Sequence, residues 1–303
     1  MSNPGLQQIV NLALDKRCSL MESTTNLIRL IDGEGDRLPG CYLERFGDAW
    51  LISTSSPKID PLLCEILSEY HRPLYWKRLD QHQKQSPTHL SGPLMPQFFL
   101  GVENDLNCQL SFDSGYSQGV FIDQRENRAQ LKSIVQPGST VLNTFSYTGF
   151  FSVAAASNGA TTTTLDLSQV YLDWARENFR ANQIPIEEHY FCKGDTFHWL
   201  QRFAKQGRKF DAIILDPPTF SRDHKGKVFR VERDFPLLFD LAIKCLAPHG
   251  TILSCTNFRG LSAADFMEQL KSVAPRHSRF ESHPMPEDFT GPSYLKSIWS
   301  THA

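Results

Sequence analysis

At 303 residues, 40% hydrophobic and 21% charged, the chain has the composition of a soluble globular protein long enough for two cores. No apolar run approaches the roughly 20 residues of a membrane helix, and the N-terminal MSNPGLQQIVNLALDKRC lacks the basic-then-apolar pattern of a signal peptide, so a cytoplasmic protein without a membrane partner is expected. A net charge of −2 and a pI near 6.5 exclude a generally basic nucleic-acid binder; any phosphate contacts must come from local basic segments.

Seven scattered cysteines, an odd number with no C-x-x-C, read as reduced thiols rather than disulfides or a zinc site.

In chain order, Leu6, Ile9, Val10, Leu14 and Leu20 predict a leading helix within residues 6–22. The segment Asn26–Ile31 leads into the turn-rich DGEGDRLPG of Asp32–Gly40. Cys41–Phe46 and Ala49–Ser53, split by Gly47-Asp48, predict a β-hairpin. Pro61–Tyr70 reads as a helix, Pro73–Lys77 as a strand, and the polar, Pro-rich residues 79–97 as a loop. Phe98–Val102 and Asn107–Phe112 are expected to complete a small sheet.

From about Asp113 apolar strands alternate with amphipathic helices. Thr140–Asn143 is followed by a helix from Gly149, Thr162–Leu165 by Ser168–Asn182, and His189–Cys192 by Thr196–Gln206. Asp211–Leu215 then precedes Val231–Leu246, and Thr251–Cys255 precedes Ser262–Val273. Such alternation predicts an α/β fold, a mostly parallel sheet with helices on both faces. Strands near Arg279–His283 and Tyr294–Thr301, with no long helix between them, suit an antiparallel edge hairpin. The expected organisation is an N-terminal helix at 1–25, a small α+β domain at 26–112 and a catalytic domain at 113–303.

Ligands of open α/β sheets bind outside the carboxyl ends of the strands. Four such ends carry polar residues. In VLNTFSYTGFFS a loop after Asn143 leads to Gly149, which opens a helix; its one glycine does not make the three-glycine dinucleotide fingerprint, and an ordinary βα turn explains the segment equally well. Asp166, about 20 residues further on, is placed to accept hydrogen bonds from both ribose hydroxyls of a nucleoside cofactor, since Ser168 is the better cap for the next helix. Asp195 either accepts from an adenine amino group or simply caps the helix at Thr196. FDAIILDPPTF, residues 210–220, ends in Asp216-Pro217-Pro218-Thr219-Phe220: the prolines stiffen the turn and remove two donors, so Asp216 and Phe220 form a rim able to stack a flat base.

At these residues the chain resembles the bacterial large-subunit (23S) rRNA methyltransferases, a class I S-adenosylmethionine-dependent family with cytosine-C5 and guanine-N7 branches. The resemblance lies in Asn143-Thr144-Phe145-Ser146-Tyr147-Thr148-Gly149, Asp166, Asp195, Asp216–Phe220 and GYSQGVFIDQRENR at 115–128. It implies a Rossmann-like methyltransferase sheet and S-adenosyl-L-methionine as cofactor. It places Asp123, Gln124, Arg125, Asn143, Phe145, Ser146, Tyr147, Thr148, Gly149, Asp166, Leu167, Ser168, Asp195, Thr196 and Asp216 at the cofactor, and Asp216, Pro217, Pro218, Phe220 and Cys255 at the reaction. It also implies an RNA partner, 23S rRNA, with a homodimer left open.

DGEGDRLPG and Glu44-Arg45-Phe46-Gly47-Asp48 resemble the small domain of the cytosine-C5 branch, although the chain is expected to lack that branch's N-terminal PUA domain. TTTTLDLSQVYLDWARENFRAN and Asn257-Phe258-Arg259-Gly260 look more like the guanine-N7 branch, and the C5 branch's cysteine would fall nearer Asn257 than Cys255. Chemistry separates the two. Cytosine C5 is not nucleophilic until a thiolate adds at C6, whereas guanine N7 offers a lone pair and needs only placement. A cysteine in an apolar strand is usually an inert core residue, so N7 is favoured.

Arg222, Lys225, Lys227, Arg230 and Arg233 follow the Asp-Pro-Pro turn as either a phosphate clamp or a solvated loop. Methylation of a DNA or protein amine and an inactive RNA-binding homologue remain the alternatives. A nicotinamide-dependent oxidoreductase is disfavoured by the missing glycine fingerprint.

Overall fold

Alternating apolar residues in the front third build a sheet that buries one helix-covered core. The computed structural model describes residues 4–20, 24–80, 85–115, 117–222 and 228–302. The chain forms two compact units, Met1–Arg125 with Pro286–Pro292, and Glu126–Met285 with Ser293–Ala303. The first unit thus takes in the leading helix and a late return segment, neither of which the sequence assigns to it.

In the first unit β1 (Leu27–Asp32), β2 (Cys41–Phe46), β3 (Ala49–Thr54), β4 (Leu74–Arg78) and β5 (Thr88–Ser91) lie side by side in that order. β2 and β3 form the expected antiparallel hairpin, and Gly47 at its turn has φ +63°. A Cβ there would also meet the Leu100 carbonyl oxygen at 2.6 Å, so glycine is required twice over. α1 (Pro4–Asp15) and α2 (Pro61–Ser68) flank the sheet; Asp60 caps α2 by accepting from the Leu62 N–H. Val10, Ala13 and Leu14 of α1 pack on Ile28, Leu30 and Ile31 of β1.

Two expectations are corrected. β5 lies inside the segment read as a loop, because its Thr-His-Leu-Ser sequence carries no apolar alternation. β6 (Phe99–Glu103) and β7 (Leu106–Leu110) pair with each other as a separate two-stranded ribbon among the described residues.

The leading helix is shorter than predicted because Arg17 turns inward. Its guanidinium is buried and donates to the Ala13 and Arg29 carbonyls, to both carboxylate oxygens of Asp36 (2.9 and 2.7 Å), to the Asp288 carbonyl and to Thr290. Arg29 pairs with Asp32 at 2.6 Å and Glu44 at 2.8 Å, and its backbone N–H donates to Asp288. Asp288, fully buried, also pairs with Arg125 at 2.6 Å. The return segment is therefore fastened into this unit by ions, each with several partners.

In the second unit α3 (Arg125–Ile134), which the sequence reading left unassigned, is followed by β8 (Thr140–Thr144), α4 (Phe150–Ala156), β9 (Thr161–Asp166), α5 (Gln169–Ala181), β10 (Tyr190–Lys193) and α6 (Thr196–Lys205). Next come β11 (Phe210–Leu215), the short β12 (Phe220–Arg222) and β13 (Val228–Arg230), α7 (Val231–Lys244), β14 (Leu246–Thr256), α8 (Ala263–Lys271), β15 (Arg279–His283) and β16 (Lys296–Thr301). The sheet order is β10-β9-β8-β11-β14-β16-β15. The first five strands are parallel, and β16 runs antiparallel to β14 and β15, as the edge hairpin expected from the sequence.

Side chains alternate between two cores. Ile213 and Leu215 of β11 join Phe235, Leu238 and Phe239 of α7, while Ala212 and Ile214 join Leu131, Phe151 and Trp299 on the opposite face. Pro236 within α7 has no N–H for the Glu232 carbonyl, which instead accepts from the Gln269 side chain of α8 at 3.3 Å. The strand order reverses between β8 and β11, and the crevice of such a sheet opens there.

Candidate active site at the carboxyl edge of the large sheet

The loop from β8 to α4 is conformationally strained. Phe145, Tyr147 and Gly149 have φ of +50°, +49° and +72°, and left-handed backbone costs about 1–3 kcal/mol at each non-glycine position. The neighbouring elements hold it there. Ser146 N–H donates to the Leu165 carbonyl (3.0 Å), Tyr147 N–H to Asp166 Oδ2 (2.9 Å), and Gly149 N–H to the Ser146 carbonyl (2.8 Å). From α5, Asn178 donates to the Thr148 carbonyl at 2.8 Å. A Cβ on Gly149 would meet that of Ala175 at 2.7 Å, so glycine serves close packing as well as φ. Below the loop, Asn143 and Thr164 both donate to the Ser152 hydroxyl, at 3.0 and 2.9 Å, all three fully buried. Asn143 is thus a strut under the loop.

Asp166 ends β9 beside this loop. Its Oδ1 accepts from Ser168 N–H at 2.8 Å while Oδ2 accepts from Tyr147. The sequence expects a carboxylate left free by the Ser168 cap; Ser168 does cap α5 through its hydroxyl, yet its own N–H binds Asp166. Burial raises the Asp166 carboxyl above its ordinary pKa, against hydrogen bonds from the Ser168, Tyr147 and Leu167 backbone. With three backbone donors on the carboxylate's roughly four lone-pair positions, about one position is left for another donor. At the end of β10, Asp195 accepts from His198 N–H at 2.9 Å; it caps α6, with Thr196 buried behind it. Leu167 is exposed.

On the other side of the crevice Asp216 is half-buried, Pro217 buried and Pro218 exposed. The chain then enters β12, where the Phe220 backbone pairs with Arg230 of β13; the Phe220 side chain lies outside the described residues. Phe229 of β13 packs its ring 6.4 Å from Phe145 and 5.9 Å from Phe197, so the root of this hairpin rests on the strained loop. Of the basic stretch, Lys225 and Lys227 lie outside the described residues, as does the Arg222 side chain. Arg230 stands 4.0 Å from Glu232, and Arg233 pairs with Asp234 at 2.8 Å.

One sequence assignment is corrected. Cys255 is fully buried among Ile214, Leu253 and Trp299, its thiol 3.7 Å from the Ser297 hydroxyl, so it has no exposed sulfur to offer a base. Asp123, Gln124 and Arg125 are brought together in the first unit, where Arg125 carries the ion pair with Asp288.

Residues 79–297 match the model of the S-adenosylmethionine-dependent methyltransferase family. The chain belongs to that family. Among curated relatives of this methyltransferase, Ribosomal RNA large subunit methyltransferase K of Neisseria meningitidis is 31% identical over 267 residues, covering 85% of this chain and 72% of the relative. Ribosomal RNA large subunit methyltransferase I of Photobacterium profundum is 31% identical over 292 residues, covering 89% and 73%. A solved structure assigned to the S-adenosylmethionine-dependent methyltransferases, from Streptococcus mutans, superposes with a TM-score of 0.90 at 26% identity, covering 99% of this chain and 82% of that one. Another, complexed with SAH, gives a TM-score of 0.92 at 27% identity with the same coverage.

The residues present fit S-adenosylmethionine. The Ser146 hydroxyl, buried in the strained loop, has no hydrogen-bond partner among the described residues, and the Asp166 carboxylate at the end of β9 keeps one acceptor position open. When bound, the cofactor supplies a methyl group activated by its sulfonium. The methyltransferase's own part is to hold the loop in one conformation through Asp166, Asn178 and Ser152. Sequence reasoning missed Asn178 and Ser152; neither stands in a recognisable motif, and only their partners reveal them. Among the described residues no helix is long and apolar enough to cross a membrane.

Proposed function

We propose that this methyltransferase methylates a base of large-subunit ribosomal RNA, at guanine N7 rather than cytosine C5. The substrate class is supported by the relatives, which are named as ribosomal RNA large subunit methyltransferases. The atom is supported by one observation: Cys255 is buried in the core and bonded toward Ser297. A C5 enzyme needs a thiolate that adds to C6 of the ring, and a fully buried thiol packed with Ile214, Leu253 and Trp299 has no exposure to reach one. N7 carries its own lone pair, so the protein has only to place guanine against the methyl group, a contribution of orientation rather than of covalent chemistry. The rigid Asp216-Pro217-Pro218 turn serves as that placing rim. Cys255→Ser is expected to retain most methylation of a 23S rRNA transcript, and a transcript carrying 5-fluorocytosine to trap no covalent protein–RNA complex. Abolition of activity by Cys255→Ser in a protein that still folds and binds cofactor, together with a trapped adduct, reverses the assignment.

A further inference from the structure

β14 and β11 are parallel neighbours with Ser254 opposite Leu215, so Asp216 leaves the sheet level with Cys255 and the chain leaves β14 just beyond, at Asn257. Adjacent strands lie about 4.8 Å apart, and the Asn257–Gly260 loop therefore borders the Asp-Pro-Pro rim on the side away from the cofactor loop.

This loop is held in a definite shape. Phe258 N–H donates to Thr256 Oγ1 at 3.2 Å, and the Phe258 side chain packs on the hydrophobic core. A Cβ on Gly260 would lie 2.6 Å from the Phe258 ring, so a glycine is needed where the ring folds back. From β16, where it sits opposite Thr256, Lys296 donates to the Phe258 carbonyl at 2.6 Å and to the Tyr294 carbonyl at 3.0 Å. One ammonium thus ties the loop to the start of β16. With Phe258 anchored inward, Asn257 and Arg259 on either side are both exposed. Neither the Asn257 amide nor the Arg259 guanidinium has a hydrogen-bond or carboxylate partner among the described residues; Arg259 stands 6.0 Å from the Tyr294 ring. Burial and the Arg259 charge both lower the Lys296 pKa, so two cations stand near one another here. Such a pair is relieved by an incoming anion.

We infer that the Asn257–Gly260 loop is the substrate-reading edge of the site, with Asn257 recognising the target base, Arg259 an adjoining phosphate, and Lys296 acting as the positioning residue that sets the loop. This rests on the RNA reading above. An amide offers a donor and an acceptor to a base edge, and an arginine fork matches phosphate.

The test compares wild type, Asn257→Ala, Arg259→Ala, Lys296→Met and Lys296→Arg on a 23S rRNA transcript, with S-adenosylmethionine affinity measured in parallel. Arg259→Ala is expected to weaken RNA binding about tenfold and reduce the salt dependence by about one unit of slope. Asn257→Ala should lower kcat/KM about tenfold or more with an unchanged slope. Lys296→Met should show both losses, and Lys296→Arg, which still donates to both carbonyls, should recover most of them. Cofactor affinity should stay at the wild-type value throughout. An active wild type matched by all the variants overturns the inference alone, as does a parallel loss of cofactor affinity in Lys296→Met. A wild type inert on every RNA overturns the RNA reading itself.

Discussion

Two buried polar networks, one in each unit, are built from different chemistry. In the first, full charges go inside: Arg17 and Asp36 form a bidentate pair with side chains 1% exposed, and Arg29, Asp32, Glu44, Arg125 and Asp288 extend it. In the second, the buried polar set under the strained β8–α4 loop is neutral, Asn143, Ser152 and Thr164. Ions that are individually costly to desolvate persist where opposite charges pair closely, and they then favour one geometry for the segments they join. Neutral amides and hydroxyls carry a smaller desolvation cost and suit a place where two left-handed residues already store strain. The difference assigns joining to the first network and preorganisation to the second.

Breaking the ionic network should have the largest effect. Asp36→Asn leaves Arg17 buried without its counter-charge, and about 3–5 kcal/mol of stability should be lost, read from the denaturant midpoint. Burial works against the Asp36 carboxylate, but hydrogen bonds from Arg17 and the Asp32 backbone outweigh it and hold its pKa below the ordinary value. Its stabilisation is therefore complete above the unfolded carboxylate range and is lost as pH falls through the lowered folded value; Asp36→Asn should flatten that part of the acid-unfolding profile.

Asp166 has the opposite sign. Burial raises its folded pKa, so its contribution to the stability of the free protein is present below the unfolded value and lost as pH rises through the raised one. Cofactor binding follows the charged form and should weaken as pH falls through that value. Asp166→Ala should weaken S-adenosylmethionine binding by roughly 1.5–3 kcal/mol, measured by calorimetry, and remove this pH dependence. Equal affinity of both proteins would separate Asp166 from the cofactor.

The neutral network should respond least. Ser152→Ala removes the acceptor shared by Asn143 and Thr164, a cost of about 1–3 kcal/mol. If this network serves preorganisation, the variant should show a larger fractional loss of cofactor affinity than a core substitution of equal stability cost, such as Leu131→Val on the same face.

Most of the second unit was legible in the sequence because its strands and helices differ in apolar period and Ser168, Asp195 and Ser262 stand as caps where helices begin. β15 matches its predicted bounds. Where the period is hidden, the reading failed: β5 is polar, and α3 opens with the charged RENR. The strand-end acids were found by position, but not the duties they perform. Asp195 is a cap, and Asp166 also fastens Tyr147. The role of Asp288 was out of reach, since its partners Arg29 and Arg125 lie 259 and 163 residues away. No local pattern encodes a pairing at that separation.

The central claim, guanine N7 as the methylated atom, is tested most directly by identifying the product. Purified enzyme, 23S rRNA from a strain lacking the gene and isotopically labelled S-adenosylmethionine would be incubated, and the RNA digested to nucleosides for mass analysis. The label is predicted in N7-methylguanosine, and to the same extent with Cys255→Ser. Label recovered in 5-methylcytidine would contradict the account.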